Sequence, residues 1–144
     1  MELPQAKADE YLRVKKKFLF QSKLNLDQPF NITETLVSDE HGDIFKIDLR
    51  QGRIELLMIN INYRANECVV LCRLDIDDRT HKNPDGKKIV EPHIHLYKEG
   101  FGSKFAYPAK NFGFIDFSNS LSSINKFFDF CNIDKTKISI QGRL

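Results

Sequence analysis

The chain has 144 residues, 41% of them hydrophobic, which supplies one core of ordinary size, and residues 1–144 are expected to form a single domain. With 22 Lys and Arg against 20 Asp and Glu the formal charge is +2, which excludes recognition driven by overall charge and leaves only local electrostatics. The opening "MELPQAKADEYLRVKKKF" lacks the apolar run of a secretion signal, and "IELLMININY" falls short of the ~20 residues that span a bilayer, so a cytoplasmic protein without membrane association is expected.

Residues 5–20 are rich in helix formers and free of Gly and Pro, which predicts an N-terminal helix with "KKK" at 15–17 as its solvated basic last turn. From Ile44 the pattern turns to period two. With Gln51 and Gly52 as a two-residue loop, Leu49 would face Ile54, Ile47 would face Leu56 and Phe45 would face Met58, a hairpin with three apolar pairs on one side. "ECVVLCRLDID" reads as the next strand, with Val70, Cys72, Leu74 and Ile76 on its apolar side and Arg73, Asp75 and Asp77 on its polar side. Asn83-Pro84-Asp85-Gly86 places Pro and Gly where a β-turn wants a fixed negative φ and a permissive one, so the chain reverses there. "KFAYP" suggests a short strand and "KISIQ" an edge strand. Between them Ser118 would cap a helix whose stripe is Leu121, Ile124, Phe127 or Phe128, and Cys131. The expected fold is α+β: an antiparallel meander of about five strands, with an N-terminal helix and a C-terminal helix packed on the sheet. Cys68 and Cys72 lie four apart on one strand, ~13 Å between Cα atoms, too far to bridge, so the cysteines are expected reduced.

The chemistry concentrates in "EPHIHLYKEGFGSKFAYP". Period two sends Ile94 and Leu96 to the core and His93, His95, Tyr97 and Glu99 to the other face, beside Arg73, Asp75 and Asp77 if the Asn83–Gly86 turn makes a hairpin. His81, Lys98 and Lys104 flank this row as binding residues. His93, His95 and Glu99 resemble the His-x-His-x3-Glu portion of the cupin metal motif, but no His follows His95 in the sequence, so a metal there would need His81 or an Asp as a further ligand. Without a metal, cleavage of RNA by 2′-OH attack needs a base, an acid and cations near the phosphate. His93, His95 and Tyr97 could supply the first two, Arg73, Lys98 and Lys104 the last. "DIDDRT" departs from a calcium loop, with Arg79 at the fifth position and no Gly after it, and "GFGSK" lacks the spacing of a phosphate loop.

"HKNPDGKKI", then "PHIHLYKEGFGSKFAYP" and a closing "FFDFCNI", are similar to an uncharacterised bacterial and phage-associated domain family. Its members carry an Asn-Pro-Asp-Gly turn, a Pro-His-x-His-x-Tyr-x-Glu-Gly segment and a Lys-aromatic-Ala-aromatic-Pro segment. The resemblance covers residues 75–133, and Phe105 stands where the pattern has Trp. It implies a site around His93, His95, Tyr97, Glu99 and Lys104, and a role in host conflict as a toxin module or a small inhibitor of bacterial defence.

The leading expectation is therefore a nucleic-acid-directed protein of mobile-element or defence conflict, a metal-independent ribonuclease toxin acting on RNA without cofactors. His93, His95, Tyr97 and Glu99 form its catalytic set, and Arg73, His81, Lys98 and Lys104 bind. The alternatives are a non-enzymatic binder of a protein partner in a defence or toxin–antitoxin system, and a metal-binding protein using His93, His95 and Glu99. An exposed edge strand would also allow a homodimer.

Overall fold

Alternation of apolar and polar residues dominates the chain, and the sheet it builds is larger than periodicity alone suggests. A computed structural model describes residues 2–27, 29–52, 58–77, 79–117 and 119–142. The elements run α1 (Gln5–Arg13), β1 (Lys16–Phe18), β2 (Ser22–Asn25), β3 (Phe30–Ser38), β4 (Ile44–Gln51), β5 (Ile59–Ala65), β6 (Val69–Ile76), β7 (His81–Lys82) and β8 (Lys88–Ile89). They continue with β9 (His93–Leu96), β10 (Ala106–Pro108), a 3₁₀ turn at Ala109–Phe112, α2 (Ser120–Phe130), β11 (Ile133–Asp134) and β12 (Ile138–Gln141). No helix among the described residues is long and apolar enough to cross a membrane.

The fold is α+β, but the main sheet has eight strands in the order β10-β9-β6-β5-β4-β3-β1-β11 rather than about five. The extra strands are short and acquire their identity from pairing: β1 runs antiparallel to β3 and parallel to β11, which makes a mostly antiparallel sheet mixed. β12 lies outside it, parallel to β2.

α1 stops at Arg13, well short of Phe20, because sheet pairing outweighs helix propensity in the segment that follows. Val14 turns extended, and Lys16 and Phe18 alternate inward as β1. Lys16 is thus not part of a solvated last turn. Its side chain is buried, and Nζ reaches back to donate to the carbonyls of Tyr11 and Leu12 at 2.8 and 2.9 Å, capping the end of α1 from the next strand.

The β4–β5 hairpin also differs from expectation. Leu49 pairs with Ile61, Ile47 with Tyr63 and Phe45 with Ala65, so Met58 is not the partner of Phe45. Ile54 and Leu56 lie outside the described residues. Both residue parities of "IELLMININY" are apolar, and the inward set is Ile59, Ile61, Tyr63 and Ala65.

Those side chains meet Phe45, Ile47 and Leu49 of β4 and Leu74 of β6, and both helices pack on that face, α1 through Tyr11 against Phe45 and α2 through Phe128 against Phe18. Asn119 caps α2 by accepting from the Leu121 and Ser122 amides; Ser118 lies outside the described residues. The cysteines are free thiols, Cys68 exposed and Cys72 and Cys131 buried.

Candidate functional site

The Asn83–Gly86 reversal forms as its residues demand. Gly86 N donates to the Asn83 carbonyl at 2.8 Å and Gly86 takes φ +90°, open to glycine at no steric cost. The turn closes the small β7–β8 ladder, after which β9 enters the main sheet against β6, with Arg73 opposite His95 and Asp75 opposite His93. Period two therefore places the two histidines, Arg73 and Asp75 on one face. The face is not wet at this point. His93 is 3% and His95 1% exposed, because β7 and the loop after β9 fold over the row.

That covering sets the tautomers. The Glu91 carbonyl lies 3.0 Å from His93 Nδ1, and the Ser103 carbonyl 2.8 Å from His95 Nδ1. A carbonyl only accepts, so both rings carry hydrogen on Nδ1 and direct Nε2 into the cleft. His81 completes the group: its Nε2 donates to the Lys104 carbonyl at 2.7 Å, and its ring lies 4.7 Å from that of His95 and 5.7 Å from that of His93.

Asp75 is the hub. Its Oδ2 lies 3.1 Å from His95 Nε2 and 3.6 Å from His93 Nε2, and accepts from Arg73 Nε at 3.1 Å. Arg73 Nη2 is 3.1 Å from both Asp75 Oδ2 and His95 Nε2, while Asp75 Oδ1 accepts from Asn60 Nδ2. Burial pushes the Asp75 carboxyl up, yet hydrogen bonds from both histidines and the Arg73 charge outweigh it and hold the group well below the usual carboxylate range. Burial disfavours the charged form of His93, but the bond to Asp75, the Glu91 carbonyl and the charges of Asp75 and Asp77 together raise its pKa above 6.5. A cleft of about 380 Å³ opens here, lined by these groups and by Asp77, Arg79 and Thr80.

Asp75, His93 and His95 could hold a metal ion, since one ligand atom from each lies within 4.8 Å of the others. Asp75 would be the acidic ligand, in place of Glu99. The Arg73 guanidinium already sits on the Asp75 and His95 ligand atoms, so a cation would have to displace it.

The remaining expected residues lie elsewhere. Tyr97 is buried at the N-terminal segment, its hydroxyl accepting from Leu3 N at 2.9 Å and donating to the Leu3 carbonyl at 2.6 Å. Glu99 accepts from Gln5 N at 2.6 Å. Lys98 Nζ lies 4.5 Å from the centre of the Phe105 ring. Lys104 is exposed, and its main-chain carbonyl, not its ammonium, touches the histidine group. Sequence reasoning missed Asn60; the alternation of "ININ" and its register opposite Asp75 were the available signals.

Fold and cleft together define a small α+β protein with a His–Asp–Arg cluster near one edge of a large, mostly antiparallel sheet. Residues 3–133 match a family of unknown function, DUF6978, and the chain belongs to that family. No curated protein and no solved structure matches the chain.

Proposed function

We propose that the cleft is a metal-independent acid–base site directed at the phosphodiesters of RNA, in a protein of mobile-element or bacterial-defence conflict. One observation carries the reading. Two imidazoles whose Nδ1–H groups are fixed by main-chain carbonyls turn both Nε2 atoms toward one carboxylate, with a guanidinium in hydrogen-bond range of that carboxylate and of His95 Nε2.

The roles follow from the partners. His95 Nε2 stands 3.1 Å from both the Arg73 guanidinium, which only donates, and Asp75 Oδ2, which only accepts; in the state in which it takes the Arg73 hydrogen it carries a lone pair, and His95 is then the base. His93, whose Nε2 faces Asp75 at 3.6 Å and whose protonated form that carboxylate favours, is the acid. An incoming phosphate recruits Arg73, which frees the His95 lone pair and places positive charge where the phosphorane forms. His95 removes the 2′-OH proton as that oxygen attacks phosphorus; the P–O5′ bond breaks with His93 protonating O5′, leaving a 2′,3′-cyclic phosphate and a free 5′-hydroxyl. His81 packs against both rings and keeps them in place. Tyr97 and Glu99 hold the covering loop to the N-terminal segment and take no part in the chemistry.

The test is cleavage of a panel of RNAs by purified protein, with EDTA and with divalent metals. Chelator-resistant cleavage ending in 2′,3′-cyclic phosphate is expected, and His93→Ala and His95→Ala should each lower it by about 10²–10⁴-fold with the fold intact. Cleavage seen only with added metal would transfer the roles to a bound cation. A wild-type protein that cuts none of the RNAs under either condition removes the enzymatic reading.

A further inference from the structure

Asp48, Asn62, Arg73 and His95 stand in one cross-strand row over β4, β5, β6 and β9. Arg50, Asn60, Asp75 and His93 stand in the next. The core and both helices lie on the opposite face of these strands, so neither helix covers the rows. The face carries four cations, Lys46, Arg50, Arg64 and Arg73. Of its carboxylates, Asp48 and Asp75 are buried, Asp48 beneath Arg64 at 2.8 Å, and Asp77, at the cleft end, is half-buried and paired with Arg79 at 3.5 Å. Along β4 and β5, away from the Asp77 end, what points outward is therefore positive charge and amide. Asn62 donates to Asp48, and its Oδ1, itself buried, has no hydrogen-bond partner among the described residues.

We infer that this polar sheet face is the platform on which a single strand of RNA lies as its phosphodiester enters the His93–His95 cleft. The inference rests on the reading of that cleft as an RNA-directed site, and it adds where the strand binds and by what contacts. Lys46 and Arg50 are four residues apart on β4, roughly 13 Å, and β4 is three strand spacings from β9, roughly 14 Å, so cations and cleft lie within the reach of a short run of nucleotides. Neither row contains Phe or Tyr, so the contacts are to phosphate and sugar rather than by base stacking. Binding should accordingly be tolerant of sequence and steep in salt. An acidic protein would match the charge equally, but the rows run directly into the acid–base cleft, and that continuity selects the nucleic acid.

The experiment uses the intact chain and a fluorescein-labelled 2′-O-methyl polyuridine oligonucleotide, whose blocked 2′-oxygen prevents cleavage, with affinity read by anisotropy across salt concentrations. Lys46→Ala with Arg50→Ala should flatten the log–log salt slope by about 1.4, at roughly 0.7 for each lost phosphate contact on a single strand. The charge-keeping pair Lys46→Arg with Arg50→Lys should restore it, and matching unfolding curves exclude a folding defect. An unchanged slope, no binding by wild type, or equal displacement by polyglutamate each overturns the inference. An unchanged slope beside intact cleavage sinks the platform alone. A flattened slope beside absent cleavage sinks the acid–base chemistry alone.

Discussion

Replacing Asp75 by Asn keeps the shape of the hub and removes its charge, so it tests the electrostatic logic of the cleft without any assumption about substrate. In the wild type, Asp75 Oδ2 holds Arg73 and His95 at 3.1 Å and His93 at 3.6 Å. Removing one partner of a buried ion pair costs about 3–5 kcal/mol; Arg73 is 33% exposed and can rehydrate, so the lower end, about 3 kcal/mol, is expected at pH 5.5. The pH dependence has a definite sign. Asp75 titrates below its usual 3.8, so its stabilisation is present above 3.8 and lost as pH falls through the folded value. His93 titrates above its usual 6.5, so its stabilisation is present below 6.5 and lost as pH rises through the folded value. The network contributes most between those limits, and Asp75→Asn should lose most there. With the carboxylate gone, burial dominates at His93 and its midpoint should fall. Urea unfolding from pH 4 to 8, and NMR titration of the His93 Cε1 proton, measure the two effects. A His93 midpoint unchanged or raised in Asp75→Asn, or a stability loss constant across that range, would refute the account.

Two further substitutions probe the scaffold. Burial holds Lys16 at about 8 instead of 10.5, a cost of roughly 3 kcal/mol at pH 7. Lys16→Met removes it while stripping the Leu12 carbonyl of its donor, at about 1–3 kcal/mol; the Tyr11 carbonyl keeps the Tyr63 hydroxyl at 2.7 Å. The Met variant should therefore be stabler by about 1 kcal/mol in urea at pH 7, with the advantage shrinking as pH rises from 8 toward 10.5; an advantage that grows instead contradicts the buried-charge argument. Tyr97→Phe removes both bonds to Leu3 and should cost about 1–2 kcal/mol, with faster hydrogen exchange at the Leu3 amide and cleavage kept within a few-fold. A hundredfold loss of cleavage would return Tyr97 to the chemistry.

Where periodicity and turn chemistry acted together, the sequence was legible. Pro84 and Gly86 mark the reversal, and alternation on Glu91–Glu99 brings His93 and His95 beside Asp75 and Arg73. The β4–β5 register was not legible. The partner of Leu49 is Ile61, seven residues beyond Ile54 (61 − 54), and an apolar run on both faces satisfies either alignment. Nor was the end of α1, because Lys16 and Phe18 belong to β1 through partners as distant as Ser38 and Ile133. The dryness of the histidines was hidden for the same reason: alternation tells which face a residue takes, and the cover on that face comes from other parts of the chain.

That cover ties the histidine cluster to the far end of the sequence. Tyr97 and Glu99 bind Leu3 and Gln5, and Glu2 reaches the Gly100 amide, so the loop after β9 starts from a clamp made by the N-terminal segment. Asn83 secures the other end, its amide exchanging hydrogen bonds with both main-chain groups of Ala106 at 2.9 and 2.8 Å. Between these anchors the loop presents the Ser103 carbonyl to His95 and the Lys104 carbonyl to His81. The proton on His95 Nδ1, and with it the direction of Nε2 into the cleft, is thus fixed by a loop that is itself fixed nearly a hundred residues away in sequence, at Leu3 and Gln5. Residues that read as members of the histidine row because they share its period, Tyr97 and Glu99, serve that row by holding the loop whose carbonyls orient it.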